Sequence, residues 1–567
     1  MNPTVYKMPR SSSLSAKPSA KPSAKPSAKP LPPKPLPPKP SKARLAVVFG
    51  DQLDLDAAVI RSLAPDDTVL MMEVANESQY VPSHMQRTTL FLSAMRHFAA
   101  ELIEQKIRVN YITLDDPKNT GAFETEIARA CAALKPSEIV CTHPGEWRVM
   151  AMLERVRDST GIPLRIMPDE HFFTTGEEFA AWAKGRNSLT MEFFYREQRR
   201  KTGYLMEGSG KSAKPTGDTW NFDKENRLPF GKQGPNPKPR IPSSFKLDEI
   251  TREVLAAMKR VLPDLPGSIE SFAWPVTRKQ ALASLNDFIK YRLANFGAYE
   301  DAMWTGEPTL YHSILSSSLN MKLLNPRECC ERAIESYESG NAPLQSVEAF
   351  VRQIIGWREF VRGVYWLEGP EYADRNGLDQ QGKLPDFYWT AETDMACMKA
   401  CVGQVLDTGY GHHIQRLMVT GNFALISGVH PRAVSDWYLG MFVDGVDWVT
   451  LPNALGMVMH ADRRPNATKG VTGLVGTKPY AASGKYIERM SNYCTNCKYK
   501  PAERSGPSAC PVTVFYWDFL IRTREKLAQN QRMAMILKNV DRLTPQIQTQ
   551  ITIDANLLRK KLGVTPM

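Results

Sequence analysis

Short apolar runs alternate with amphipathic stretches through the first third of the chain. The apolar runs predict β-strands at 45–49, 68–74, 108–113, 138–141 and 164–167. Apolar residues at helical spacing predict helices at 85–104, 121–134 and 146–158. This alternation predicts a mostly parallel sheet with helices on both of its faces.

From about residue 246 onward the strand signals fade and helical periodicity dominates. Helices are predicted at 247–261, 278–294, 326–339, 346–367, 391–406 and 411–427. The predicted fold class is therefore α/β in the first half and all-α in the second. Four segments are predicted: a tail at 1–44, an α/β domain at 45–175, a linker at 176–245 and a helical domain at 246–567.

Composition narrows the class of protein. No stretch approaches the ~20 consecutive apolar residues that a membrane helix needs, and the N-terminus lacks the apolar core of a secretory signal. Nine cysteines in 567 residues do not indicate a disulfide framework and suit a reducing cytosol. A cytoplasmic globular protein is expected.

The basic charge is concentrated in the N-terminal tail. Residues 1–44 contain eight lysines, Arg10 and Arg44 but no acidic residue, so they supply +10 of the formal net charge of +12. Repeated Ser-Ala-Lys-Pro and Leu-Pro-Pro-Lys-Pro units predict an extended polyproline II segment without a core. Two interpretations stay open, a solubilising tail and an electrostatic tether for DNA. A nucleic-acid site on the nearly neutral remainder must be a local patch.

Polar residues follow the predicted strands, at the sheet edge where parallel sheets bind ligands. Asp51 follows the first strand, Glu77 and Tyr80 follow the second, and Gly145-Glu146 follows the fourth. No G-x-G-x-x-G sequence follows the first strand, so the usual dinucleotide fingerprint is absent. The sequence predicts a pocket for a ligand other than NAD.

The predicted linker combines basic and aromatic residues. Residues 192–201 interleave the two types, and residues 203–242 are rich in Gly, Pro, Lys and Asn. This pattern fits phosphate contact with base stacking, and it fits a solvated linker about equally well.

Closely spaced cysteines give the sharpest chemical signal in the chain. Cys494, Cys497 and Cys510 can bring three thiolates to one centre, and Cys397 or Cys401 on a predicted helix upstream would supply a fourth. Proline directly after Cys510 occurs in iron–sulfur proteins, but four thiolates also suit zinc. The spacing leaves three alternatives: an iron–sulfur cluster, zinc, or plain structural thiols.

Two adjacent histidines open a predicted helix. His412 and His413 would point about 100° apart and so would rarely bind one metal ion. In a cleft, one of them could donate a proton, because histidine titrates near neutral pH. A structural role at the helix end is the alternative. The sequence Gly-Trp-Arg-Glu-Phe at 356–360 fits either a buried charge pair or part of a cofactor wall.

The order of these motifs resembles the iron–sulfur bacterial cryptochromes and photolyases, also called the photolyase-related or prokaryotic (6-4) photolyase family. The resemblance covers about residues 44–530. It is carried by the cysteines and by Phe-Gly-Asp-Gln-Leu (49–53), Ser-Ala-Met-Arg-His-Phe (93–98), Pro-Gly-Glu-Trp-Arg-Val (144–149), Ser-Leu-Thr-Met-Glu-Phe-Phe-Tyr-Arg-Glu (188–197), Trp-Asn-Phe-Asp-Lys-Glu-Asn-Arg (220–227), Arg-Gln-Ile-Ile-Gly-Trp-Arg-Glu (352–359), His-His-Ile-Gln-Arg-Leu-Met (412–418) and Gly-Thr-Lys-Pro-Tyr-Ala-Ala-Ser-Gly (476–484).

The resemblance implies a parallel-sheet antenna domain, a long linker and a helical FAD-binding domain with a [4Fe–4S] cluster. The implied cluster ligands are Cys397, Cys494, Cys497 and Cys510. The implied antenna pigment is 6,7-dimethyl-8-ribityllumazine, held by Asp51, Glu77, Tyr80, Gly145 and Glu146. The implied contacts of FAD are Phe296, Gly297, His312, Ser313, Leu315, Ser316, Arg358, Glu359, Asp444 and Asn453.

The same resemblance implies light-driven repair of a flipped (6-4) pyrimidine–pyrimidone lesion by electron transfer from reduced FAD. His412 and His413 match the active-site pair of the family, and His413 or its neighbour is expected to supply the proton. Arg227 would hold DNA, and Trp389, Trp437 and Tyr486 match the aromatic chain that reduces the flavin again. Asp223 and Asp301 match acidic positions that could hold Mg2+. Thr450 departs from the family at a position near the flavin ring that is often acidic.

The leading interpretation is thus a (6-4) DNA photolyase, a carbon–carbon lyase. It is expected to be a monomer without membrane association, to act on damaged double-stranded DNA and to lie at the nucleoid. The alternative is a cryptochrome-type blue-light photoreceptor with the same cofactors and little repair activity. The histidine pair favours repair, because a pure sensor needs no acid at a lesion. A light-independent iron–sulfur protein that binds nucleic acid would leave the aromatic chain and the antenna positions unexplained.

Overall fold

The computed structural model describes residues 43–566 apart from Asn187, Ser209 and residues 465–472. The predictions for the basic tail fall almost wholly on residues outside this range. Within the range, no helix is long and apolar enough to cross a membrane.

Five parallel strands form the sheet that the sequence predicts. They are β1 Leu45–Val47, β2 Thr68–Met72, β3 Arg108–Ile112, β4 Ile139–Thr142 and β5 Leu164–Met167. Their spatial order is β3-β2-β1-β4-β5, with every pairing parallel. Strands β2 and β3 thus lie on one side of β1, and β4 and β5 lie on the other side. The order of the strands reverses between the neighbours β1 and β4, and ligands of such sheets bind in the crevice at this switch point.

Helices cover both faces of this sheet because alternate strand residues point to opposite sides. Val47 packs in one apolar core with helices Phe123–Leu134 and Trp147–Thr160. Its neighbour Ala46 packs in the other core, with helix Met85–Glu104. Two short helices, Ala58–Arg61 and Asn76–Gln79, complete this part of the chain.

The segment predicted as a linker begins with regular structure. Two helices, Gly176–Ala183 and Met191–Thr202, precede a small antiparallel ribbon of β6 Met206–Glu207 and β7 Lys214–Pro215. Most of the residues from 219 to 248 form no helix or strand.

Helices are the main regular structure in the rest of the described chain. Their bounds are Glu249–Val261, Arg278–Tyr291, Leu293–Phe296, Ser316–Asn320, Pro326–Glu338, Leu344–Val351, Glu359–Glu368, Phe387–Thr390, Ala396–Thr408, Asn422–Ser427, Pro431–Met441, Asp447–Pro452, Gly484–Met490, Pro511–Arg522, Arg524–Ala528, Ala534–Asp541 and Pro545–Leu562. The fold class predicted from the sequence, α/β followed by all-α, is confirmed.

We call residues 45–175 the sheet half and the residues after 246 the helical half. Among the described residues, three π-helical segments interrupt the helical half, at Arg352–Arg358, Gln415–Gly421 and Asn453–Val458. Such segments are rare and occur frequently at functional sites. Each one here contains a predicted site residue or begins within two residues of one, namely Arg358, Asn453 and His413.

Candidate active site

The histidine pair lies where the chain enters the π-helical segment Gln415–Gly421. His412 is buried, and its ring stacks on that of His312 with the centroids 4.4 Å apart. Burial lowers the pKa of His412 well below its usual value, and the charges of His312, His413 and Arg416 lower it further. The side chain of His413 is exposed, so of the two it is the one that a bound substrate can reach.

Arg416 connects the histidine pair to an acidic residue that the sequence did predict. Its guanidinium donates two hydrogen bonds to Asp444, at 3.0 and 3.1 Å. The hydroxyl of Ser316 donates to the same carboxylate at 2.6 Å. Sequence reasoning missed Arg416. Its position four residues after His412, on the same helix face, is the signal that could have found it.

Some of the residues that are predicted to contact FAD lie close to the histidine pair, whereas others face protein atoms instead. Phe296 meets the ring of His312 edge-on at 6.0 Å, and Leu315 is buried next to Ser316. Gly297 faces protein instead. Its amide donates to Ser346 Oγ, and a Cβ there would come within 2.8 Å of Ser346 Cα.

Ser313 and Asn453, two further predicted contacts of FAD, also lie in the helical half of the molecule. Ser313 is partly buried beside His312 in the chain, and the Asn453 amide donates to the Val449 carbonyl. Thr450, at the position that departs from the family, is buried in helix Asp447–Pro452.

Arg358 and Glu359 contact the segment that follows the sheet. Glu359 accepts hydrogen bonds from the amides of Phe173 and Thr174. The guanidinium of Arg358 lies 4.4 Å from the ring of Phe172 and 4.9 Å from that of Trp448. Burial lowers the pKa of Arg358 to about 10.

Buried polar atoms without partners mark the space between these groups. They include Nε2 of His312, both ring nitrogens of His412, the hydroxyls of Ser317 and Ser318, and Nε and Nη1 of Arg358. A buried polar group that makes no hydrogen bond costs about 1–3 kcal/mol. The donor set therefore fits a large polar cofactor such as FAD.

Aromatic rings lead from Arg416 towards the protein surface. The guanidinium lies 4.0 Å from the ring of Phe442, which meets Trp437 at 5.5 Å. Trp437 then meets Tyr388 at 5.0 Å and donates to its carbonyl. The next residue in the chain, Trp389, is 36% exposed.

Tyr486 lies in a different setting from the two tryptophans. Its hydroxyl is hydrogen-bonded to Asp301, and Arg489 lies over its ring at 5.5 Å. Burial raises the pKa of Asp301, and the positive charge of Arg227 opposes this increase. Asp223, the other predicted cation ligand, pairs with Arg352.

A cavity opens at the carboxyl ends of β1 and β4. Its volume is about 820 Å³ including its mouth, and Asp51, Glu77, Gly145 and Glu146 are among its lining residues. Tyr80, the fifth predicted antenna contact, is not among them but packs against Arg148 with 4.3 Å between guanidinium and ring.

The remaining walls of the cavity are mostly apolar and suit a flat ring system. They include Phe49, Met72, Val74, Phe91, Leu92, Met95, Leu114, Phe123, Val149, Leu262 and Val446.

Glycine is required at position 145 by the packing around this cavity. A Cβ on Gly145 would come within 2.5 Å of Asp51 Oδ2 and 3.2 Å of the Trp448 ring. Burial raises the pKa of Asp51 to about 6, although the charge of Lys322 opposes this.

The four predicted cluster ligands lie near one another in the helical half. Burial raises the pKa of Cys397, and so do the neighbouring thiols of Cys510, Cys401, Cys494 and Cys497. Cys401 also contacts the hydroxyl of Tyr493, at 3.9 Å. All nine cysteines are free thiols.

Single-ion sites are not formed by these side chains. Among the described residues, no three Cys, His, Asp or Glu side chains converge closely enough to hold one metal ion. A four-iron cluster binds one thiolate at each iron atom and does not require such convergence. The four free thiols are therefore compatible with a four-iron cluster.

A five-stranded parallel sheet followed by a helical half is the architecture of the photolyase–cryptochrome fold. The crystal structure of a bacterial class III photolyase from Agrobacterium tumefaciens shares this fold. It gives a TM-score of 0.51 at 14% sequence identity and covers 92% of this chain and 96% of that one.

Sequence comparison identifies the family within this class. Residues 46–274 match the family described as deoxyribodipyrimidine photo-lyase-related protein. The (6-4) photolyase of Agrobacterium fabrum (strain C58) is 45% identical over 521 residues, which is 92% of this chain and all of that protein. The chain belongs to the photolyase-related family. The predicted family and enzyme class, a DNA photolyase, are confirmed, and FAD is the cofactor that the family implies.

Proposed function

We propose that this chain reverses (6-4) pyrimidine–pyrimidone photoproducts in double-stranded DNA in a light-driven reaction. The observation that carries the proposal is the exposed His413, which lies beside a buried His412–His312 stack and the Arg416–Asp444 ion pair. A proton donor that is accessible to a flipped base and held next to the cofactor site fits lesion repair.

FAD would be held by the groups around the histidines. Ser316, Ser317 and Ser318 would supply hydroxyls, and Arg416 would hold the Asp444 side chain in place through two hydrogen bonds. When bound in reduced form, FAD supplies the electron that light excitation transfers to the lesion. The protein residues exclude water from this space and fix its geometry.

His413 would donate the proton to the lesion. Desolvation and the charge of Arg416 lower the pKa of His413 in the ligand-free protein. A bound anion would raise that pKa by charge attraction, which favours protonation near neutral pH once substrate is present. His412 stays buried and would orient the neighbouring rings.

Three further groups are part of the proposal. 6,7-Dimethyl-8-ribityllumazine would occupy the cavity at the ends of β1 and β4. A [4Fe–4S] cluster would bind Cys397, Cys494, Cys497 and Cys510. Mg2+ near Asp223 and Asp301 is the weakest assignment, because Asp223 already pairs with Arg352.

Damaged duplex DNA is the proposed partner of a monomeric, nucleoid-associated protein. Arg227 is exposed and close enough to Asp301 to influence its pKa, so it could reach a lesion strand next to Tyr486. Flipping the lesion costs a few kcal/mol, and least when the damaged base is already poorly stacked.

The test is repair of a (6-4) lesion in a short duplex under blue light by FAD-loaded, pre-reduced protein. We expect repair by the wild type, none in the dark and none of a cyclobutane-dimer duplex. His413→Ala should lose most of the activity. His430→Asn, at the N-cap of helix Pro431–Met441, is the matched control and should retain it.

The second candidate function is a blue-light photoreceptor with little repair activity. It shares the aromatic contacts from Phe442 to Trp437, which would serve signalling equally well. Flavin photoreduction without any lesion repair by the loaded wild type would establish the photoreceptor and exclude the photolyase.

A further inference from the structure

The cavity at the ends of β1 and β4 carries more acidic than basic side chains. Four carboxylates line it, from Asp51, Glu73, Glu77 and Glu146, against two arginines, Arg87 and Arg148. Such a surface attracts hydrogen-bond donors and repels anions.

Arg148 holds one wall of this cavity together. Its guanidinium donates to both carboxylate oxygens of Glu77, at 2.7 and 2.5 Å. Its Nε lies 2.6 Å from Glu146, and its Cζ lies 4.3 Å from the centre of the Tyr80 ring. One side chain, from the second residue of helix Trp147–Thr160, thus fixes three of the predicted chromophore contacts.

Two of the other charged groups of the cavity, Glu73 and Arg87, are engaged with protein atoms. Glu73 accepts two hydrogen bonds from Arg96, at 2.7 and 2.9 Å. Arg87 donates to the carbonyl of Gly445 and to the hydroxyl of Ser83. Among the described lining residues, both arginines are therefore already committed to protein acceptors.

We propose that Arg148 is a positioning residue of this cavity, and that the acidic wall it organises admits an uncharged, hydroxyl-bearing ring compound and excludes its phosphorylated form. This inference rests on the proposed antenna role of the cavity. It adds the residue that shapes the site and the charge class of ligand that the site accepts.

The physical basis is a balance of charges inside a partly closed space. Carboxylates fixed by Arg148 can accept hydrogen bonds from ligand hydroxyls, and charge-assisted bonds of this kind are stronger than neutral ones. A phosphate would meet carboxylates without a free cation, and like charges placed together disfavour binding. Without Arg148 the carboxylates of Glu77 and Glu146 would repel each other and lose their common orientation.

Equilibrium binding to the full-length, FAD-loaded protein tests both parts. The probes are 6,7-dimethyl-8-ribityllumazine and its 5′-phosphate, followed by fluorescence and by the absorption band of the bound ring. For the wild type we expect binding of the phosphate form to be at least about tenfold weaker, the effect of one charge-assisted contact. Arg148→Gln should weaken binding of the uncharged form by a similar factor and shift its absorption band.

Two variants separate positioning from general damage. Arg148→Lys keeps the positive charge but cannot form the paired hydrogen bonds that a guanidinium makes with a carboxylate, so it should recover only part of the affinity. Arg155→Gln is the matched control, because Arg155 lies on the same helix and pairs with Glu124 in a single exposed ion pair. It should bind both probes like the wild type.

Each result bears on a distinct part of the proposal. Equal affinity for the two probes would overturn the charge selection. Unchanged affinity and absorption in Arg148→Gln, or equal losses in Arg155→Gln, would overturn the role of Arg148. A wild type that binds neither probe would overturn the antenna assignment, and this inference with it.

Discussion

The sheet half of the molecule contains deeply buried charge pairs, whereas the helical half contains buried histidine and serine side chains that have no hydrogen-bond partner. In the sheet half, Arg44 pairs with Asp67, and Glu73 pairs with Arg96, both with almost no exposure of the acidic partner. In the helical half, the ring nitrogens of His412 and the hydroxyl of Ser317 have no partner.

Unpartnered buried atoms also occur in the sheet half, for example at Ser93, Arg165 and His171, but those of the helical half include the histidines and serines of the proposed FAD site, where a bound group could satisfy them. Anything that binds only the folded state stabilises it by mass action. Loss of a cofactor should therefore affect the helical half more strongly than loss of the antenna chromophore affects the sheet half.

The largest effect is expected at the thiols. Cys397→Ser should remove iron and acid-labile sulfide from the purified protein, because a cluster that loses one of four thiolates is poorly held. The accompanying loss of stability should reach several kcal/mol, as for other structural metal centres. Metal analysis, visible absorption and thermal unfolding measure these changes.

Cys401→Ser is the matched control one helical turn away, since Cys401 faces Tyr493. It should keep its full iron content. Loss of iron in Cys401→Ser but not in Cys397→Ser would make Cys401 the fourth ligand in place of Cys397. Zinc instead of iron in the purified wild type would show that the site is a zinc site.

A smaller but still large effect is expected at Arg416. Removal of one partner from a buried ion pair costs about 3–5 kcal/mol. Arg416 is itself one-quarter exposed, so Arg416→Gln should destabilise the folded protein by no more than the lower part of that range. It should weaken FAD binding by about tenfold, the effect of one charge-assisted contact. Arg432→Gln removes an exposed pair with Asp436 and should leave affinity for FAD unchanged. Fluorescence titration with FAD compares the two, and equal affinities would contradict a role for the Arg416–Asp444 pair.

Much of the fold follows from patterns that act over short distances. The runs of apolar residues predict all five strands, and helix Met85–Glu104 has the predicted bounds. The two helices of the presumed linker were missed because their amphipathic character depends on which surface they cover. Helix Met191–Thr202 buries Phe194 and Tyr195 against helical segments far along the chain.

Contacts between distant residues explain what sequence reasoning missed at the sites. The stack of His312 on His412 joins residues that are 100 positions apart in the sequence, and no local sequence pattern predicts this contact. The same holds for the pairing of Arg416 with Asp444. Arg148 was overlooked because an arginine on an amphipathic helix ordinarily indicates a solvated surface. Only the folded chain shows that it bridges two carboxylates.

The third effect concerns electron transfer through the helical half. Trp437 contacts both Phe442 and Tyr388, so Trp437→Phe should slow the photoreduction of bound oxidised flavin by about tenfold or more, since each 1.4 kcal/mol added to a barrier gives that factor. Tyr486→Phe should change this rate little, because Tyr486 is hydrogen-bonded to Asp301 in a different setting. Absorbance recorded under blue light with an external reductant gives both rates. If only Tyr486→Phe slowed photoreduction, the electron would reach the flavin through Tyr486 and not through Trp437.

The smallest effect is a difference in the sign of pH dependence between the two halves. Burial raises the pKa of Asp51 to about 6, so the folded protein binds this proton more tightly than the unfolded chain does. The resulting stabilisation is present below about pH 4 and is lost as the pH rises through 6. Burial lowers the pKa of His312 to about 3, so its contribution is present above about pH 6.5 and is lost as the pH falls towards 3.

Asp51→Asn should therefore raise the free energy of unfolding at pH 8 and have little effect at pH 4. His312→Gln should do the reverse, with little effect at pH 8 and a gain at pH 5. Each gain should be on the order of 1 kcal/mol, since both side chains are partly exposed and solvent screens them. Urea unfolding of the two variants and the wild type from pH 4 to 8 measures the slopes. If both variants shift stability in the same direction with pH, the expected difference in pH dependence between the two halves does not hold.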